Sequence, residues 1–241
     1  MKWNKVALVV LTRNMDDTTV LEDKEYYIKR YQIPSNLVVT VNQVESQFKW
    51  AQGEVYVGRE LATMKGVLAG QLNKRSKIIV VAHGSPPPKV MCARLDAILV
   101  SRLLRMLGVT EVGLISFKSC FTGLGSYLEE FTVSCTHENI RFGWCLAYIN
   151  ATGLTWTDVA TGESKYFRRQ LVGAHDLYTY LLSGGYGKLP DSYRVRVVKG
   201  KLTLPDEFLR TLGPRFAIGQ NPAFNYADLS GNTVIYRVTS V

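Results

Sequence analysis

Cys120 and His83 are the residues of this chain whose types and setting suit covalent chemistry on a carbonyl. A cysteine thiolate is a nucleophile, and a neighbouring protonated imidazole lowers the thiol pKa and can hand a proton to a leaving amine. His83 is followed by Gly84, which has no side chain. The Gly84 backbone N–H can therefore come close to a carbonyl oxygen and, with the N–H of Cys120, form an oxyanion hole. Taken singly, His83 also reads as an ordinary loop histidine and Cys120 as a small core residue, since most free cysteines are buried and inert. The pattern of the pair favours the catalytic reading.

The elements around the two residues explain how they could meet. Residues 78–82 and 112–117 are short apolar runs rich in valine and isoleucine, and they read as buried strands of a parallel sheet. The first ends in His83-Gly84 and the second in Ser119-Cys120. Between them, Met91, Leu95, Ile98, Leu99 and Met106 mark one face of a helix over residues 89–107. Strand, helix, strand makes a right-handed crossover, so both strands run the same way. His83 and Cys120 then emerge at one edge of the sheet, where open α/β sheets place their sites.

The motifs VVAHG and ISFKSC, one helix apart, resemble those of the caspase-like cysteine peptidases (clan CD). Within that clan the chain is most similar to the cysteine peptidase domains of large bacterial toxins. These cut their own polypeptide when inositol hexakisphosphate binds. The resemblance spans about residues 1–205 and is specific around the two motifs. It implies a caspase-like fold: a mostly parallel sheet flanked by helices, with a C-terminal β-hairpin or flap region. It implies a cysteine endopeptidase in which Cys120 attacks and His83 manages the proton. It also implies an acid after the first strand that orients the histidine. Asp17, or its neighbour Asp16, holds that place, although two adjacent acids also read as the solvated start of a turn. Polypeptide is the implied substrate, with the chain itself as a candidate. The chemistry requires no cofactor, and inositol hexakisphosphate enters as a candidate activator. The implied setting is a bacterial toxin or effector acting in a host cytosol.

The rest of the chain reads as α/β. Residues 6–11 form an apolar strand, 22–31 a short helix, 37–41 a strand, and 59–72 a helix with Leu61, Met64, Leu68 and Leu72 on one face. Thr122-Gly123-Leu124-Gly125 lacks the third glycine and the Lys-Ser/Thr of a phosphate loop, and reads as room for backbone near the nucleophile. Residues 141–150 read as a strand and 155–166 as a hairpin turning at Gly162, within the implied flap. Lys165, Arg168 and Arg169 there are candidates to meet a polyphosphate. Residues 172–182 read as a helix carrying a structural His175. Residues 193–204 read as a hairpin turning at Lys199-Gly200-Lys201. Its residues Arg194, Arg196, Lys199 and Lys201 are the densest basic group and the first candidate for a polyanion site. A half-exposed hairpin with one polar face is the alternative. Residues 206–212 read as a short helix and 233–238 as a last strand.

Length and composition fit one domain over residues 1–241, with the catalytic sheet in 1–150 and the flap and C-terminal β region in 151–241. Hydrophobic residues make up 46% of the chain, enough for a sizeable core. No apolar run approaches the ~18 residues of a membrane span, and residues 6–11 lack the flanks of a signal peptide. A soluble protein is the expectation. Four cysteines without a C-x-x-C pair and three scattered histidines argue against a metal site and suit a reducing compartment. The net charge of +9 is spread along the chain, without the dense stripe that nucleic-acid binding calls for.

Three other readings are open on sequence. One is a catalytically silent caspase-like module that binds a partner or a polyphosphate. Another is a metal chelatase, because His83-Gly84-Ser85 after an apolar strand resembles the opening motif of small tetrapyrrole chelatases. In those proteins the motif follows the first strand, and nothing there accounts for Cys120. A serine hydrolase is disfavoured by the lack of a G-x-S-x-G elbow.

Overall fold

The computed structural model describes residues 3–51, 54–148, 151–157, 164–172, 195–203, 224–228 and 234–238. The runs of β-branched residues become the strands that the fold is built on. β1 (Lys5–Leu11) leads through a loop to α1 (Thr18–Tyr31), and a 3-10 turn at Ser35–Leu37 opens β2 (Val38–Val41). Then come α2 (Val44–Gln47) and a hairpin of β3 (Phe48–Ala51) and β4 (Glu54–Val57). A short α3 (Arg59–Thr63) precedes β5 (Ser76–Ala82), every residue of which is buried. Two-residue strands β6 (Gly84–Ser85) and β7 (Met91–Cys92) pair with each other before α4 (Ala97–Met106). β8 (Glu111–Lys118), α5 (Tyr127–His137) and β9 (Arg141–Tyr148) complete the crossover series. β10 (Ala151–Thr157) and β11 (Ser164–Val172) form a separate antiparallel hairpin. β12 (Val195–Lys199), β13 (Phe224–Asp228) and β14 (Val234–Val238) return to the main sheet.

That sheet has the order β13-β14-β12-β9-β8-β5-β1-β2. The five strands from β9 to β2 are parallel, and β12, β14 and β13 continue the sheet antiparallel. Helices cover both faces. Tyr31 at the end of α1 receives a hydrogen bond from Lys77 of β5 at 3.2 Å. Lys77 shares a face with Lys118, because Lys77 pairs with Leu114 and side chains alternate along β8. Phe117 points from the other face and meets Phe131 and Tyr127 of α5 edge-on, at 5.1 and 5.9 Å between ring centres. The result is an α/β fold with a mostly parallel sheet between helices, as the alternation of strand and helix predicts.

Three elements differ from the sequence reading. The helix expected over 59–72 ends at Thr63, because Gly66 and Gly70 adopt left-handed φ values of 76° and 69°. Leu61 and Leu68 still face the core, so the apolar spacing survives in turns. The helix expected from residue 89 starts at Ala97, where the Asp96 carboxylate accepts the Leu99 N–H at 2.8 Å. Before it, Ala93 and Arg94 take left-handed φ values of 50° and 65° and turn the chain out of β7.

The hairpin expected over 193–204 is not formed by the described residues 195–203. β12 pairs with β9 and β14, and the chain beyond it stays on β9 through Gly200 N–H to Gly143 C=O (2.8 Å) and Leu202 N–H to Phe142 C=O (2.9 Å). Gly200 is there for close approach, since a Cβ would strike the Phe142 backbone and ring. The expected helices over 172–182 (from residue 173 on) and 206–212, with His175 and Arg194, lie outside the described residues.

Candidate active site

Strand register brings the two chemical residues level. Val81 of β5 pairs with Lys118 of β8, so two residues further on His83 stands beside Cys120 at the C-terminal edge of the sheet. Leu11 of β1 pairs with Ala82, which sets the β1–α1 loop on the other side of His83. Asp17 comes from that loop. Its Oδ1 lies 2.8 Å from His83 Nε2, with side-chain exposures of 5% for the aspartate and 32% for the histidine. Asp17 occupies the N-cap position of α1, yet its carboxylate caps no helix N–H and is turned to the imidazole instead. Its Oδ2 accepts the Arg13 N–H at 3.4 Å. Asp16 is exposed. An acceptor on Nε2 keeps the ring proton there and leaves Nδ1 to exchange a proton with a reacting group.

Gly84 fits against Cys120 more closely than any side chain would allow. A Cβ built on it would overlap the Cys120 carbonyl and lie 2.8 Å from the Cys120 nitrogen. Opposite β7 it pairs with Cys92, and the adjoining bond runs from Ala93 N–H to His83 C=O at 2.7 Å. In that pattern Gly84 is a non-hydrogen-bonded position, so its N–H is directed away from β7. Gly84 and Cys120, the residues expected to supply the oxyanion N–H groups, are thus brought into backbone contact.

Cys120 is half-buried, whereas Cys92, Cys135 and Cys145 are buried. Burial pushes the thiols of Cys135 and Cys145 well above the usual cysteine value. Phe121 follows Cys120 in the left-handed region at φ 61°, a costly conformation for a bulky residue that turns the chain sharply at the strand tip. The turn is held by Thr122 Oγ1 to Ser119 C=O (3.0 Å), Leu124 N–H to Phe121 C=O (2.8 Å) and Gly123 N–H to Tyr148 C=O (2.7 Å).

The basic group assigned to a polyanion does not assemble as expected. Arg196 is buried on β12 and ion-paired with Glu129 of α5. Lys199, three residues on, belongs to the opposite strand face, and Lys201 is exposed beyond the strand. A solvent-facing role for Arg196 is therefore corrected: alternation assigned it to a polar outer face, but the β9–β12 pairing turns it inward. Arg194 lies outside the described residues, and Lys165, Arg168 and Arg169 fall on β11.

A second cationic group escaped the sequence reading. Lys77 Nζ sits 4.7 Å over the Tyr31 ring, Lys118 Nζ sits 4.7 Å over the Tyr148 ring, and Arg30 lies 5.6 Å from the Tyr31 ring centre. Burial pulls the Lys77 ammonium below its usual pKa, with the Tyr31 charge opposing and the Lys118 charge adding. The available signal was a lysine directly before the apolar run of β5.

Among the described residues no cluster of three or more His, Cys, Asp or Glu could hold a metal ion, and no helix is long and apolar enough to cross a membrane. No protein-family model matches the chain, and no curated protein matches it.

Proposed function

We propose that this protein is a cysteine endopeptidase of the caspase-like type. The observation that carries the reading is the Asp17–His83 pair at the tip of β5, with Gly84 pressed against Cys120 at the tip of β8. Cys120 Sγ loses its proton to His83 Nδ1 and attacks the scissile carbonyl carbon. The N–H groups of Gly84 and Cys120 stabilise the negative oxygen of the tetrahedral intermediate. His83 then gives the proton to the departing amine, leaving a thioester on Cys120. A water molecule, deprotonated by His83, releases the acid and restores the thiol. Asp17 fixes the imidazole tautomer and orientation during these transfers.

The substrate is polypeptide, with the chain's own backbone as one candidate. Inositol hexakisphosphate is the activator to test. Arg30 of α1 and Lys118 of β8 both bring positive charge near Tyr31, and charge-assisted bonds from such groups are the chemistry that holds phosphates. Four free thiols suit a reducing compartment such as a host cytosol, where a bacterial effector or toxin would act.

The reading is tested by incubating wild type and Cys120→Ala with a mixed peptide library in reducing buffer, with and without inositol hexakisphosphate, and identifying the products by mass spectrometry. Cleavage by wild type alone is the expected result.

A further inference from the structure

Arg196 lies far along the chain from Cys120, yet it grips the loop that carries it. β12 places Arg196 opposite Ala147 of β9, next to Tyr148, whose carbonyl already holds Gly123 N–H at 2.7 Å. The guanidinium donates to the Gly125 carbonyl and, at 3.5 Å, to the Gly123 carbonyl. Glu129, in the first turn of α5, accepts from its other arm. With side-chain exposures of 10% for Arg196 and 22% for Glu129, the pair is largely shielded from water. Gly125 has a left-handed φ of 58°, which suits a turn that aims its carbonyl at the arginine.

Inward-turned carbonyls need donors, and a planar fork can serve several acceptors at once where an ammonium is a single point. The stretch from Cys120 to Gly125 is thereby held by three elements: the end of β9, the start of α5, and β12. Of these, β12 is the most distant in sequence and joins the sheet from its antiparallel side.

We infer that Arg196 is a positioning residue for Cys120, and that docking of β12 on β9 is a condition for a competent nucleophile loop. The inference rests on the peptidase reading and adds to it a regulatory element: a displacement of β12 registers at Cys120 through Arg196 and the carbonyls of Gly123 and Gly125. The residues that alternation reads as an anion-binding strand are, at this position, part of the scaffold of the site.

The test compares wild type, Arg196→Ala and Arg196→Lys. Peptide-cleavage kcat and KM, the rate of Cys120 alkylation by iodoacetamide, amide hydrogen exchange of residues 119–126, and the folded fraction at the assay temperature are measured for each. Arg196→Ala is expected to lower kcat about 100-fold at nearly unchanged KM, the scale of loss from a misplacement of about 1 Å. Exchange at Gly123 and Leu124 is expected to rise about tenfold or more, with the rest of the sheet as protected as in wild type. Arg196→Lys is expected to recover part of the kcat.

Wild-type kcat and wild-type loop exchange in Arg196→Ala would overturn the inference. So would a kcat loss that only tracks a loss of folded protein, with lysine no better than alanine. If wild type itself neither cleaves peptides nor shows fast Cys120 alkylation, the peptidase reading fails. The exchange data then decide the anchoring alone: faster exchange confined to the loop of Arg196→Ala upholds it, and unchanged exchange overturns it.

Discussion

A methyl group at position 84 would occupy the space of the Cys120 carbonyl, so the two backbones could not stay in contact. Gly84→Ala is expected to lower kcat at least 100-fold and stability by about 1–3 kcal/mol, as overpacking typically does. Peptide cleavage and urea denaturation measure the two effects. Asp17→Asn keeps the shape but removes the charge that fixes the His83 tautomer, and kcat is expected to fall about 100-fold or more while the fold is retained. The meeting of His83-Gly84 with Cys120 at one sheet edge was legible because each closes an apolar run. The choice between Asp16 and Asp17 was not legible. Adjacent acids differ only in which way the turn carries them, and the fold buries Asp17 against His83 while Asp16 stays exposed.

The elements were read best where a run is continuously apolar, as in β1, β5 and β8, and worst where an apolar period continues through a change of backbone. The 59–72 segment keeps Leu61 and Leu68 inward although it is helical only to Thr63. Gly66 makes this testable, since a Cβ there meets nothing within 4 Å and only its left-handed φ matters. In a continuous helix Gly66→Ala would stabilise by about 0.5–1 kcal/mol. In this fold it is expected to destabilise by about 1 kcal/mol, read from the urea midpoint. The segment around β12 was misread for another reason. Alternation reports two faces but not the partner strand, and the partners β9 and β14 lie far away in sequence.

At the scale of the whole molecule, the sheet order places the Asp17 loop, His83 and Cys120 on three adjacent parallel strands, β1, β5 and β8, all opening at one edge. The opposite demand, burying charge inside the sheet face, appears at Lys77 and Tyr31. Burial lowers the Lys77 pKa from 10.5, with Tyr31 opposing. Burial alone would raise Tyr31, but the Lys77 charge and hydrogen bond outweigh it and bring the phenol below 10.0. Just below those values the unfolded chain therefore holds more protons than the folded one, and stability rises with pH. Wild type is expected to gain stability over Lys77→Met/Tyr31→Phe as the pH rises towards 10.0, compared by urea denaturation at each pH.

The account stands most directly on whether Cys120 is a peptidase nucleophile. The deciding measurement is mass spectrometry of a peptide library incubated with wild type and with Cys120→Ala, with and without inositol hexakisphosphate. The account predicts new carboxyl termini with wild type only, at rates that rise with the polyphosphate. Equal silence from both proteins in either condition, together with Cys120 alkylation no faster than that of the buried Cys135 and Cys145, would contradict it and leave a catalytically silent module in its place.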